Sequence, residues 1–236
     1  MAAYITQVKQ AIDRFIRNAS STSVVTATTA QGPMLINELW IAAEDVTNRW
    51  TESLGGTGTS AVASSGRSRL LQLKAPANAD GAILYSKAIA PNPAAASATN
   101  NLWQRMTLEF EATLVNVASF TNTVAMIGGI HNSSVSRGDS DIAAFVLDGD
   151  DLAVVTDNGG TETLTAITGL TLTSANLYKV VLRNGAAEFW VNRTLRVTHT
   201  TNLPSGIAMI GFRVVADAGL NAELHLGSVR WYLEDA

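Results

Sequence analysis

The stretch LYKVVLRNGAAEFWVNRTLRVTHT at residues 177–200 decides the fold. Asn184-Gly185 lies between two runs of alternating apolar residues, and this arrangement is the strongest short-range signal of a β-hairpin. A two-residue loop fixes the register, so the partner of each strand residue can be predicted. On one face Tyr178 pairs with Val191, Val180 with Phe189 and Leu182 with Ala187, and on the other Lys179 pairs with Trp190 and Val181 with Glu188.

The sequence from about residue 46 onward has the pattern of an all-β domain. Short apolar runs are separated by turns rich in Gly, Pro and Asp, and no helical pattern alternates with them. Residues 207–215 are apolar on both faces, which predicts a central strand, and the change of apolar parity at Gly227-Ser228 predicts a β-bulge. Further strands are predicted near residues 68–74, 82–90, 103–117, 123–130, 142–147, 152–156 and 162–167.

Residues 1–45 differ from the rest, and we interpret them as an N-terminal amphipathic helix and extended arm ahead of a sandwich at residues 46–236. Apolar side chains recur there at helical spacing, and a helix this short needs a surface to pack on. That surface is either its own sandwich or a neighbouring subunit. The sequence after Pro33 fits either a short helix or a strand. The candidate docking and oligomerisation residues are Tyr4, Ile5, Val8, Ile12, Phe15 and Ile16.

The composition of the 236-residue chain excludes several classes of protein. Only 15% of the residues are charged, the net charge is −4 and no run of Lys or Arg occurs, so we predict no nucleic-acid partner. The absence of cysteine excludes disulfides and thiolate metal sites. No apolar segment has the length of a membrane span, and the charged N-terminus does not have the pattern of a secretory signal. We therefore expect no membrane partner and no export signal.

The segments NRWTESLGG, LWQRMTLEFEATL and LHLGSVRWYLED, together with the hairpin, carry a family resemblance. Across about residues 48–235 the sequence resembles the concanavalin A-like and laminin G-like jelly rolls. The resemblance implies a mainly β fold, an antiparallel jelly-roll sandwich, and says little about activity. The Ala-, Thr- and Ser-rich composition and the helical arm look like bacteriophage virion proteins that use this sandwich as a decoration, fibre or baseplate module.

One strand invites comparison with the glucanases of this superfamily, which carry carboxylates in the order Glu-x-Asp-x-x-Glu on one strand face. The nearest match is Glu109-Phe110-Glu111, in which the two glutamates share a face. Residues 112–114, Ala-Thr-Leu, follow in place of a third carboxylate. We therefore interpret the pair as a solvated strand face and predict that the chain is not an enzyme.

Acidic residues that could bind calcium, as in lectins of the superfamily, occur at residues 148–151 and at Asp139 and Asp141. However, Asp-Gly between two strands is first of all a hairpin sequence. We predict neither a metal nor a cofactor. No partner at metal-ligand spacing and no nucleophile motif accompanies the histidines His131, His199 and His225.

The face of the hairpin opposite Phe189 is the candidate contact surface. Its register places Trp190 beside Lys179, and three interpretations stay open. The pair forms a cation–π contact covered by a loop, or Trp190 contacts another subunit, or its ring is a stacking platform for a sugar. The candidate residues for partner or glycan contact are Lys179, Glu188 and Trp190.

These patterns predict a non-enzymatic structural protein that is located in a virion. We expect it to bind capsid or tail proteins of the same particle, to stabilise them by subunit contacts, and to form a homo-oligomer, with a trimer favoured by the phage resemblance. The alternative is a lectin-like module that recognises a cell-surface glycan.

Overall fold

The computed structural model describes residues 31–38, 50–65, 68–76, 81–86, 90–91, 93–94, 105–117, 126–132, 141–148, 151–216 and 221–234. These residues contain sixteen β-strands and no helix, and therefore no helix long and apolar enough to cross a membrane. The strands are β1 (Gln31–Glu38), β2 (Trp50–Gly55), β3 (Thr59–Ser65), β4 (Ser68–Ala75), β5 (Gly81–Ser86), β6 (Ala90–Pro91), β7 (Arg105–Val115), β8 (Met126–His131), β9 (Ile142–Asp148), β10 (Asp151–Asp157), β11 (Glu162–Ile167), β12 (Asn176–Arg183), β13 (Ala186–Val191), β14 (Thr194–His199), β15 (Ile207–Val215) and β16 (Ala222–Glu234).

The strands form two sheets. Sheet A has the order β14-β13-β12-β7-β16-β4-β3, with β1 also paired to β16, and sheet B has the order β11-β10-β9-β8-β15-β5-β2, with β6 also paired to β15. Neighbouring strands in the described sheets are antiparallel. The predicted mainly β, antiparallel sandwich is confirmed.

The hairpin of β12 and β13 forms in the predicted register, with Lys179 opposite Trp190 and Val180 opposite Phe189. Its loop glycine, Gly185, has a φ of 72°, a conformation that suits glycine because other residues place a β-carbon too close to the backbone. Two further predictions are confirmed. The strand β15 lies inside sheet B between β8 and β5, and the pairing of β16 with β7 shifts register across residues 227–228.

The sequence after Pro33 left a helix and a strand open, and the structure shows a strand. β1 pairs with the second half of β16, while β4 pairs with its first half. This strand falls within residues 1–45, which the sequence analysis assigned to the arm. The six candidate docking residues between Tyr4 and Ile16 lie outside the described residues, and their role stays a prediction. Trp40 and Trp103 also lie outside the described residues.

The main core lies between the sheets and is built around aromatic rings. Phe110 from sheet A stacks on Tyr178 with ring centroids 5.2 Å apart, and it meets the edge of Phe212 from sheet B at 5.3 Å. Phe145 meets Tyr178 at 5.0 Å. Such contacts stabilise the core beyond the burial of area, by roughly 0.5–1.5 kcal/mol for each pair. Trp50 and Trp231 are also buried in this core.

The two outer faces of the sandwich, turned away from the opposite sheet, differ in polarity. On sheet B a second apolar cluster is buried, and among the described residues of this face the charged Arg213 lies opposite Met126 and Ile83. On sheet A the outward positions of β7, β12, β13 and β16 carry charged and aromatic side chains that alternate with core residues. The members of the sheet B cluster are Met126, Ile142, Ala144, Val146, Ala153 and Val155. The outer face of sheet A is therefore the described face on which charged and aromatic side chains lie together.

Candidate binding site on the outer face of sheet A

Three adjacent strands of sheet A bring Glu109, Lys179 and Trp190 into one row. Lys179 of β12 lies opposite Glu109 of β7 on one side and opposite Trp190 of β13 on the other. Its ammonium Nζ is 3.2 Å from Glu109 Oε1 and 6.0 Å from the centroid of the Trp190 ring. The predicted contact of Lys179 with Trp190 is confirmed, at the outer limit of a cation–π interaction. Glu109 was not expected to join it.

The indole nitrogen of Trp190 belongs to a chain of hydrogen bonds that runs through Glu188 to Arg183. The indole N–H donates to Glu188 Oε2 at 3.3 Å, and Arg183 Nε donates to Glu188 Oε1 at 2.8 Å. Burial acts to raise the pKa of Glu188, but the hydrogen bonds from Arg183 and Trp190 and the nearby positive charges outweigh it and hold that pKa below its usual value. Glu188 is thus an anchor for the ring, and the three predicted contact residues do lie together.

A concavity opens beside this row, with an empty volume of about 430 Å³ that includes its open side. Its walls are Glu109, Leu177, Lys179, Trp190 and Arg193. An apolar ring flanked by a few polar groups is a common arrangement in small-molecule sites.

The Arg193 wall comes from the two-residue turn between β13 and β14. Both turn residues have positive φ, 50° at Asn192 and 67° at Arg193, a region that disfavours residues with a β-carbon by roughly 1–2 kcal/mol. Asn192 is tied down because its Oδ1 accepts the Leu177 N–H at 2.9 Å and its Nδ2 donates to Asn176 Oδ1 at 2.9 Å. The turn is therefore fixed on the side of Asn192, and it carries Arg193 into the wall.

Further along the same face, β16 supplies Arg230 and Tyr232. Arg230 lies opposite Glu109 in the pairing of β16 with β7. The pKa of Tyr232 is raised by burial and by the charges of Glu109 and Glu234, so its hydroxyl stays protonated and can donate a hydrogen bond. Glu234 Oε2 in turn accepts the Thr107 hydroxyl at 2.7 Å. Polar groups therefore continue along β16 from the row of Glu109 and Lys179.

The two glutamates that were compared with a glucanase motif do share this face, but their surroundings differ from each other. Glu109 is held by Lys179, whereas Glu111 is exposed and lies against Gly227, where a β-carbon would come within 2.9 Å of Glu111 Oε1. The next residue of β7, Ala112, is buried in the core. No third carboxylate follows on the outward positions of this described strand.

The acidic residues considered for calcium are not assembled into a site in the described part of the chain. Asp141 is buried, and its Oδ2 accepts hydrogen bonds from Asn132 Nδ2 at 2.9 Å and from the Ser205 hydroxyl at 2.6 Å. It therefore joins two chain segments. Asp151 is exposed, while Asp139, Asp150 and the side chain of Asp148 lie outside the described part of the structure. No group of three His, Cys, Asp or Glu among the described residues is arranged for a metal ion.

The histidines occupy three different settings. His199 bridges the sheets, with Nδ1 3.0 Å from Thr156 Oγ1 and Nε2 2.9 Å from Thr165 Oγ1. His225 Nε2 lies 2.8 Å from Glu223 Oε2 on the outer face of sheet A. His131 is buried at the end of β8. His199 lies in β14 and His225 in β16.

The site contains residues that sequence reasoning did not identify, above all Arg193 and Tyr232. Arg193 follows Asn192 between two strand patterns, which is a pattern typical of a turn. Nothing in the sequence showed that Arg193 lines the same concavity as Lys179. The bulge predicted at residues 227–228 already places Tyr232 on the outer face, but nothing in the sequence shows that this part of β16 lies beside Glu109.

No protein-family model and no curated protein sequence matches this chain. Among solved structures it is similar to a Bacillus licheniformis β-glucanase, with 13% identity and a TM-score of 0.58 over 88% of this chain and 99% of that one. It is also similar to the alginate lyase AlyC3, with 10% identity and a TM-score of 0.59 over 84% and 95%. A third similar structure is the metal-free form of the carbohydrate recognition domain of Emp46p, with 12% identity and a TM-score of 0.56 over 87% of this chain and 98% of that one. These neighbours are two enzymes and a recognition domain, so the likeness shows the fold alone. The predicted antiparallel jelly-roll β-sandwich is thereby confirmed.

Proposed function

We propose that this chain is a non-enzymatic structural component of a virus particle, of the bacteriophage type, that acts by contact with capsid or tail proteins. The observation that carries the proposal is the pairing of charges on the outer face of sheet A. Glu109, Glu188 and Glu223 each have a Lys or Arg nitrogen within 3.2 Å. A partner that covers these three pairs leaves none of the three carboxylates as an isolated charge, which would be costly.

An aromatic and aliphatic pair on the same face supports a contact role. Trp190 lies opposite Leu195 of the edge strand β14, and Leu195 is 44% exposed. Interfaces are typically stabilised by a few such anchors, with Trp prominent among them. The weak overall charge and the apolar stripe at residues 4–16 are further support from the sequence. We place the protein in the virion as a homo-oligomer, with a trimer favoured.

The experiment is to purify particles from a producing strain on a density gradient and to search them for peptides of this chain by mass spectrometry. Deleting residues 1–17 should remove the chain from the particle fraction if the stripe docks it. The control is a variant with Arg196→Ala on β14, which should copurify as the wild type does. Absence of the wild-type chain from gradient-purified particles would contradict the proposal.

A second candidate function, glycan binding, is favoured by the concavity beside Trp190. A pyranose ring presents an apolar face that stacks on an aromatic ring, while its hydroxyls need hydrogen-bond partners. Lys179 supplies a hydrogen-bond donor and Glu109 a hydrogen-bond acceptor in the concavity that Trp190 lines. The Glu188 and Lys179 contacts fix the ring before a ligand arrives, which lowers the entropic cost of binding.

A glycan array followed by calorimetry tests this candidate. Trp190→Ala should abolish binding, and Trp190→Phe should retain part of it because a stacking surface remains. Thermal unfolding of both variants shows whether the fold is kept. If no glycan binds the wild-type chain, the glycan candidate is wrong while the particle proposal stands.

The proposal of no enzymatic activity is tested with the substrates of the similar enzymes. Neither β-glucan nor alginate should be cleaved by the purified chain. Cleavage of either polymer that was lost in Glu109→Gln or in His225→Gln would overturn the non-enzymatic proposal.

A further inference from the structure

We infer that the concavity beside Trp190 takes an acidic saccharide, whose anionic group is bound by Arg193. The inference rests on the proposed glycan-binding function and names the class of its ligand. Its support comes from the backbone of one turn and from the balance of charges around the concavity.

The conformation of Arg193 is the first observation. Its φ of 67° lies in the left-handed region, where glycine is favoured because any β-carbon is crowded. Unlike Asn192, whose side chain stabilises the turn through two hydrogen bonds, the Arg193 side chain forms no hydrogen bond with a described residue that would compensate the strain. When a residue keeps an unfavourable backbone conformation and no contact within the fold stabilises it, a role in binding is a reason for that conformation.

The charge balance is the second observation. The walls carry two cations, Lys179 and Arg193, and one carboxylate, Glu109. The carboxylate is engaged by Lys179 at 3.2 Å, whereas Arg193 forms no ion pair within the described part of the chain. The concavity therefore has one guanidinium whose charge is not matched, next to an aromatic ring.

The chemistry of the two groups selects the ligand. A guanidinium binds a carboxylate or a sulfate ester through two parallel N–H bonds, and this geometry is more specific than that of an ammonium. The apolar face of a pyranose can stack on Trp190 in the same concavity. A neutral sugar would stack on Trp190 but form no ion pair with Arg193. An acidic sugar can form both contacts.

The test measures binding of the full chain to carboxylated, sulfated and neutral tetrasaccharides by calorimetry, with carboxyl-reduced forms of the carboxylated ligands as matched probes. We expect the acidic ligands to bind and their carboxyl-reduced forms to bind at least about tenfold more weakly. Preference between the carboxylated and sulfated ligands identifies which anionic group is recognised.

Three variants locate the effect. Arg193→Gly should weaken binding of the acidic ligand at least about tenfold while leaving the unfolding midpoint unchanged or higher, because glycine suits the turn. Arg193→Lys should restore part of the affinity, and Arg196→Ala, which removes a cation from the strand that follows the turn, should bind as the wild type does. A structural role for Arg193 would instead lower the midpoint.

The outcomes separate this inference from the function on which it rests. If neutral and acidic ligands bind equally, and Arg193→Gly has no effect while Trp190→Ala abolishes binding, the site binds glycans but the acidic class is wrong. If no tetrasaccharide binds the wild-type chain, both are wrong.

Discussion

Acid should destabilise this protein through His131, the last residue of β8. Its side chain is 2% exposed, and neither ring nitrogen reaches hydrogen-bond geometry with a described residue. Burial lowers the pKa of His131 from 6.5 to about 4, and the nearby Ile210 backbone offsets this only in part. The folded state therefore accepts a proton at this ring much less readily than the unfolded state does.

The magnitude and sign follow from the two pKa values. Above the unfolded pKa of 6.5 the ring is neutral in both states and contributes no pH dependence. Below it the unfolded chain binds a proton that the folded chain does not, so the free energy of unfolding falls with pH. The loss from this ring is about 2 kcal/mol at pH 5 and approaches about 3 kcal/mol near the folded pKa.

Urea denaturation of the wild type and of His131→Leu, followed from pH 8 to pH 5, measures this loss. The two proteins will differ in absolute stability, so the readout is how their difference changes with pH. It should stay constant between pH 8 and pH 7 and shift by about 2 kcal/mol in favour of the variant by pH 5. Parallel curves over the whole range would refute the argument that burial depresses the pKa of this ring.

The effects of four further substitutions, one of them a control, are predicted from local contacts. Gly128→Ala should cost about 1–3 kcal/mol in urea denaturation, because its β-carbon would lie 2.5 Å from the Phe110 ring, whereas Gly55→Ala, with its nearest atom at 3.6 Å, should change stability by less than about 1 kcal/mol. Equal effects would contradict the packing argument. Asn192→Ala should lower stability by about 1–2 kcal/mol in the same assay, since it removes two hydrogen bonds of the turn. Glu109→Gln should lower it by less than about 1 kcal/mol, because the ion pair that it breaks is partly exposed; a larger loss would mean that the pair supports the fold.

The parts of the fold that could be predicted from sequence are those set by local chemistry. The Asn184-Gly185 loop fixes its own turn type, and alternation then assigns every side chain of β12 and β13 to a face. The bulge in β16 was predicted for the same reason, because a strand whose apolar parity switches needs an extra residue to keep its apolar side chains on the inner face.

Long-range pairing could not be predicted in this way. The strand β1 pairs with β16 nearly two hundred residues later, and its sequence also fits the start of a helix. Likewise Lys179 and Trp190 were matched through their hairpin, but Glu109 comes from β7, whose place beside β12 depends on the whole order of sheet A. The concavity and its Arg193 wall follow from that order and not from any short motif.

We propose that the outer face of sheet A is the contact surface of this protein. The most direct test places a photo-crosslinking phenylalanine derivative at position 190 in the full chain and, as a control, at the exposed position 54 of sheet B, and irradiates assembled particles with and without host cells. We predict adducts from position 190, to a particle protein or to a cell-surface glycan, and none from position 54. Adducts from position 54 alone, or from neither position, would contradict the claim.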